Sequence, residues 1–239
     1  MSKAITLFTL ATTNEIFFAV NQLFFRKAII AGTGLFLCIF LVVHLSANCI
    51  LLLPEATARS LYNTYSTTLR ESPLIKIVAY ALYASILLHV IYAIIITIHN
   101  RRSKPQRYMV NHYKENSSWT SQNMGLLGTL ILLFIVVHLA NFWARIKLGM
   151  GEAVRLDPEG NLDVYEVTSS LFHNIYYVIF YTVLAIPLAF HLHHGLKSAF
   201  KTLGFYHKKG LSILAKVALV YAVIMGVGFG IIPFIVYFK

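Results

Sequence analysis

Acidic residues are scarce in this chain. Only 9 of its 239 residues are Asp or Glu, against 20 Lys or Arg, and charged residues make up 12% of the total. With 58% hydrophobic residues and a mean hydropathy of +0.69, it has too little polar surface to cover a water-soluble globule. Hydrophobic alternation is missing too. The apolar runs are long and continuous, which excludes the strands of a membrane barrel. Several exceed the roughly 18–20 residues that cross the hydrocarbon core of a bilayer. Lipid tolerates only helices or closed barrels, so the class left is an all-α, multi-pass membrane bundle. Cysteine is nearly absent. Cys38 and Cys49 lie on one apolar run, about 17 Å apart along a helix, too far to bridge; both read as small apolar residues. The N-terminal segment lacks the basic start, apolar core and small-residue cleavage site of a signal peptide. Residues 1–27, with Thr12, Thr13, Asn14, Glu15, Asn21 and Gln22, are compatible with a helix lying on the membrane surface.

Five apolar spans are present. The first covers about Ala28 to Leu53 and is ended by Pro54. A connection with Glu55, Arg59, Arg70 and Glu71 leads to Pro73, a favourable first helical residue. The second span follows, about 74–99, and then a basic loop, RRSKPQRYMVNHYKENSSW. The third span covers about Met124 to Ile146, and an acidic loop with Glu152, Asp157, Glu159, Asp163 and Glu166 follows it. The fourth span is about Ser169 to Ala199, with Pro187 inside, and the fifth about Leu211 to Tyr237. The net charge of +11 points to orientation rather than to nucleic acid, because the excess flanks the spans. Lys3, Arg26, Lys27, Arg101, Arg102, Lys104, Arg107, Lys114, Lys197, Lys201, Lys208 and Lys209 fall on one side. By the positive-inside rule that side, with the N-terminus, is cytoplasmic.

One stretch occurs twice. Residues 34–48 read GLFLCIFLVVHLSAN and residues 128–142 read GTLILLFIVVHLANF. Each copy has a glycine ten residues before a histidine, a phenylalanine four before it, and an asparagine just after it. His44 and His138 therefore occupy matched places on two spans that run outward. His89 and His191 lie late in the two spans that run inward. Counting at 1.5 Å per residue puts the first pair roughly 22–25 Å above the inner boundary and the second roughly 12–15 Å. A single histidine in a membrane helix serves as an interhelical hydrogen bonder or a proton relay. Two pairs at two depths point instead to two haems, each a flat group held between facing imidazoles. No C-x-x-C-H occurs, so attachment would not be covalent. Small Gly34 and Gly128 let a helix or a macrocycle approach closely, and Pro187 is placed to kink the fourth span near His191. His194 is an alternative to His191 on spacing alone; His193 points elsewhere. His99, His112, His173 and His207 read as solvated or interfacial, with His173 placed to approach a substrate on the outer side. Arg26, Lys197 and Lys201 are candidates to pair with haem propionates, beside the ordinary role of membrane-flanking charges. Arg145 and Lys147 are placed to serve the outer pair. Gly226, Gly228 and Gly230 form no nucleotide fingerprint and read as packing glycines.

The five spans, the four histidines and the phrase FHLHHGLKSAFKTLG at 190–204 resemble the cytochrome b membrane-anchor subunit of succinate:quinone oxidoreductases. The nearest type is the single-chain, five-helix, two-haem form of bacteria, and the resemblance covers about residues 25–237. In that family the fourth-span histidine stands four residues before a glycine followed by an aliphatic residue, which selects His191 before Gly195 and Leu196. The resemblance implies two haem b groups. His89 and His191 would hold the one nearer the cytoplasm, and His44 and His138 the one nearer the outside. It also implies a bacterial inner membrane, with a flavoprotein and an iron–sulfur subunit docked on the cytoplasmic face. Those partners would carry the succinate–fumarate chemistry, since no dicarboxylate site is found here. This chain would pass electrons between the iron–sulfur protein and quinone, menaquinone in two-haem members. Some members use an acid after the first span for the quinol proton. No acid stands at the matching spacing; Glu71 is the nearest candidate, with an ordinary helix-start charge as its alternative reading. Two rival readings remain open. One is the cytochrome subunit of a formate dehydrogenase or hydrogenase; the other is a transporter with histidine proton relays or metal sites.

Overall fold

Inside lipid a helix satisfies its own backbone, and every long apolar run of this chain takes that form. The computed structural model describes residues 2–102, 118–205 and 207–239, with side chains at 22–102, 118–205, 207 and 209–239. Helix α1, Ser2–Asn48, closes in a 3-10 turn, Cys49–Leu52, and Leu53 is extended before Pro54. Helices α2, Glu55–Glu71, and α3, Pro73–Arg102, follow. The Ser118 hydroxyl accepts from the Ser121 N–H and starts the short turn α4, Trp119–Gln122. Helix α5, Met124–His138, runs on through a π-helical turn, Leu139–Ala144, and a last turn, Arg145–Leu148. Gly149, at φ 64°, stops it in the left-handed conformation. Asp163 and Asn174 cap α6, Val164–Phe172, and α7, Ile175–Thr202. Helix α8 is Lys208–Tyr237.

Among the described residues, five stretches are long and apolar enough to span a membrane: Gln22–Leu52, Pro73–Arg102, Met124–Leu148, Ile175–Thr202 and Lys209–Tyr237. The all-α, five-span bundle expected from the sequence is the architecture found. Three details differ. Helix α1 does not begin at Ala28 but runs unbroken from Ser2. The connection after the first span is itself a helix, α2. The fourth span begins at Ile175, not Ser169, because the Asn174 side chain accepts from the Tyr176 N–H and separates α6 from α7. Pro187 lies buried inside α7 without ending it. Lys104, Arg107, His112 and Lys114, and the side chain of Lys3, lie outside the described residues.

Helices α1, α3, α5 and α7 surround the centre, and α8 packs along α7. Small residues set that last contact. A Cβ on Gly226 would lie 2.7 Å from the Ala189 Cβ, and one on Gly230 3.6 Å from the Ala185 Cβ. One end of the bundle carries Arg26, Arg101, Lys197 and Lys201. The other is capped by α2, α6 and the loop between α5 and α6. Asn63, fully buried, ties the cap together. Its amide donates to Asp157 and Asp163, both at 3.0 Å, and its oxygen accepts from the Tyr165 N–H at 2.8 Å. Arg59 adds ion pairs to Asp163 at 2.6 Å and Glu166 at 2.7 Å. The Lys239 ammonium donates to the carbonyls of Leu51 and Leu53, fixing the end of α8 to the end of α1. The two tryptophans mark the two ends of α5: Trp119 precedes it and Trp143 closes it.

Candidate functional site

The four histidines singled out in the sequence meet in two pairs. His44 of α1 faces His138 of α5, with ring centres 5.8 Å apart and planes at 88°. His89 of α3 faces His191 of α7, with centres 6.4 Å apart and planes at 68°. Of the two α7 candidates, His191 is the one that meets His89, whereas His194 lies 3.5 Å from the Thr120 hydroxyl. His193 faces α8 instead.

The glycines of the repeated stretch acquire a partner that the sequence did not name. Gly34 and Gly128 do not serve their own histidines. A Cβ on Gly34 would lie 3.2 Å from the His89 Cε1, and one on Gly128 4.0 Å from the His191 Cε1. Helices α1 and α5 thus each offer a histidine to one pair and a bare backbone to the other. The ten-residue offset sets the levels about 15 Å apart along the helix. The same offset runs from His191 back to Tyr181, whose ring centre lies 6.1 Å from that of His138.

The surroundings of each pair are apolar and aromatic. Phe40 stacks on His44 at 5.2 Å and Phe134 on His138 at 5.5 Å, both from four residues earlier, so the matched phenylalanines do matched work. Phe229 approaches His44 at 5.7 Å. The two asparagines differ in role. Asn48 donates to the His44 carbonyl at 2.8 Å, while Asn141, one residue closer to its histidine and in the π turn, donates to the Tyr181 hydroxyl at 3.1 Å. The Thr33 hydroxyl donates to the Ile29 carbonyl at 2.7 Å and lies 3.1 Å from the His89 Nδ1. With its proton on Ile29, the Thr33 oxygen is free to accept from Nδ1–H, an arrangement that would leave Nε2 of His89 as the free lone pair.

Among the described residues, three buried side-chain nitrogens have no hydrogen-bond partner: Nδ1 of His138, Nδ1 of His191 and Nη1 of Arg70. An unmet buried group costs about 1–3 kcal/mol. Among the described residues no group of three or more His, Cys, Asp or Glu converges. Two donors per level are too few for a structural zinc site, which takes four protein ligands. They suit a metal whose remaining ligands come with it, as in a macrocycle. A metal bonded at about 2 Å to one nitrogen of each of two opposed rings leaves their centres about 6 Å apart. That is the spacing at both levels, so the donor set and the glycine faces fit two bis-imidazole haems.

The charged candidates separate by register. Arg26 is half-buried and donates to the Gln22 side chain at 3.2 Å. It lies seven residues before Thr33 and so on the face that meets His89. Lys201 is exposed, about 80° around α7 from His191, and Lys197 about 120° around and on the side of α8. Glu71 is exposed at the last turn of α2, on the capped end. Arg145 bonds Glu152 at 3.3 Å. The Nδ1 of His173 lies 2.7 Å from the Ser169 carbonyl oxygen. Thr33, Tyr181 and Asn63 were not singled out by the sequence. Only the ten-residue offset counted back from His191 would have pointed to Tyr181, and nothing local marks the other two. No family model matches the chain, and no curated protein or solved structure matches it either.

Proposed function

We propose that this chain is the dihaem cytochrome b membrane anchor of a succinate:quinone oxidoreductase in a bacterial inner membrane, its N-terminus cytoplasmic. It carries electrons between an iron–sulfur subunit, docked with a flavoprotein on the basic face, and quinone, by its family resemblance menaquinone. The observation that carries the reading is the two facing histidine pairs, drawn from alternate helices at two levels of one apolar bundle. Haem b, if held between two imidazoles, would supply one-electron chemistry. The residues then divide the work. His89 and His191 would hold the group nearer the basic end, and His44 and His138 the group nearer the cap. Thr33 sets the His89 tautomer, and Gly34 and Gly128 leave their backbone faces free. Phe40, Phe134 and Phe229 wall the upper pair with apolar rings and keep water away. Arg26 and Lys201 are placed to balance propionate charge at the basic end. Glu71 lies on the same end as His44 and His138, where a quinol proton would be received. Two levels about 15 Å apart divide the crossing of a roughly 30 Å core into shorter steps.

The test is a dithionite-reduced minus oxidised spectrum with haem counted per chain, in the wild type and in His44→Ala, His89→Ala, His138→Ala and His191→Ala. Two b haems are expected in the wild type and one in each variant, with the same band lost from both members of a pair. A colourless wild-type chain after expression with ample haem overturns the reading in favour of a transporter. Copurification without a covalent-flavin subunit, but with two haems, transfers the chain to another dihaem oxidoreductase.

A further inference from the structure

The face of α7 opposite His191 has no part in the histidine pairs. With α8 it forms an open groove of about 590 Å³, walled by Ala185, Ile186, Phe190, Val223, Val227 and Phe234. Lining residues Leu219 to Phe234 on α8 extend it about 22 Å, longer than the roughly 15 Å of hydrocarbon in one leaflet. It has two polar lining side chains. The Thr182 hydroxyl donates to the Gly230 carbonyl at 2.9 Å and is satisfied. His193 is half-buried and stands at the basic end of the groove without a hydrogen bond.

Two lysines join it there. Ala189 meets Gly226 and Ala185 meets Gly230, so the antiparallel register places Lys197 of α7 and Lys216 of α8 within one turn of each other. Both are exposed, and each continues the groove-facing stripe of its own helix: Ile186, Phe190, His193, Lys197 on α7, and Phe234, Val227, Val223, Lys216 on α8. Lys197 and Lys216 each lie within two turns of the span ends at Thr202 and Lys209, so their long side chains reach the headgroup level. A long apolar recess therefore opens toward two ammonium groups within reach of lipid phosphates.

We propose that the α7–α8 groove binds one anionic glycerophospholipid, its acyl chain along the groove and its phosphate on Lys197 and Lys216. Basic pockets between membrane helices take such headgroups. A zwitterionic lipid brings its own ammonium against the lysines and is disfavoured. Nothing in this assignment depends on the haem reading.

The full-length chain, purified in mild detergent, is equilibrated with equal phosphatidylglycerol and phosphatidylcholine, washed, and its retained lipids are counted by mass spectrometry. The wild type is expected to keep about one phosphatidylglycerol per chain. Lys197→Gln with Lys216→Gln is expected to lower that retention about tenfold or more, with helical content by circular dichroism unchanged. Val227→Trp, which fills the groove and leaves the lysines in place, is expected to lower it as well. Equal retention in the double lysine variant overturns the proposal. So does wild-type retention of phosphatidylcholine at the same level. A chain that instead runs as a dimer, and becomes a monomer on Val227→Trp, assigns the groove to a second copy and also overturns it.

Discussion

At the residue scale, the four histidines are unlike in their support. His89 has a built partner in Thr33, whereas the Nδ1 atoms of His138 and His191 have none among the described residues. A hydrogen bond from Nδ1–H raises the basicity of the opposite nitrogen. A more basic ligand favours the oxidised iron of a haem. On the proposed dihaem reading, Thr33→Val, of nearly equal volume, is therefore expected to leave haem binding intact and to raise the potential of a haem held by His89 and His191 by about 20–60 mV. That figure converts the ~0.5–1.5 kcal/mol of one hydrogen bond for a one-electron couple. A redox titration of the variant reads it, and a shift in the other haem alone would contradict the tautomer assigned to His89.

At the scale of elements, the repeated stretch works as a ruler. Glycine and histidine ten residues apart on α1 and α5 put a bare face at one level and a ligand at the other. Two neighbouring glycines test this. Gly32 has nothing within 4 Å of where its Cβ would stand, while Gly34 meets the His89 ring at 3.2 Å. Gly32→Ala is expected to raise thermal stability slightly, by up to about 1 kcal/mol of helix propensity. Gly34→Ala is expected to displace His89 and, on the proposed dihaem reading, to lower haem occupancy at that level only, read as loss of one of two bands in the reduced spectrum. Equal effects of the two substitutions would remove the ruler. The cap is a second element with its own chemistry. Burial would raise the Asp157 pKa, but the Asn161 N–H and the Asn63 amide outweigh it and hold the carboxyl below its ordinary value of 3.8. A depressed folded pKa stabilises above the unfolded value, and that stabilisation is lost as pH falls through the folded one. The cap is thus expected to hold at neutral pH and to loosen only below about pH 4. Asn63→Ala is expected to loosen it at neutral pH, by about 2–4 kcal/mol, because two carboxylates and the Tyr165 N–H lose their partner together. Protease cleavage within 149–163 reads both effects; an Asn63→Ala cap as resistant as wild type would contradict them.

At the scale of the whole molecule, the chain is organised along the axis of the bundle: basic residues at one end, a hydrogen-bonded cap at the other, and two histidine levels between. Much of this is legible in the residues alone. Composition excluded water and strands, proline and glycine placed the turns, and helical counting put His44 with His138 and His89 with His191, because depth in a spanning helix follows from rise per residue. What counting cannot supply is rotation and partnership. His191 and His194 are three residues apart and nearly equal in depth, and only packing turned the first toward His89. The break at Asn174 was hidden because apolar Val167, Leu171 and Phe172 read as span, though α6 lies over the bundle as cap. Gly34 and Gly128 were legible as small but not as faces for the other pair, and Thr33 and Asn63 became visible only when distant helices met. The sequence by itself determined class, spans and depths, because these depend on hydrophobicity and a fixed rise. The tertiary structure decided which faces meet, because that depends on side chains far apart in the chain filling one another's space.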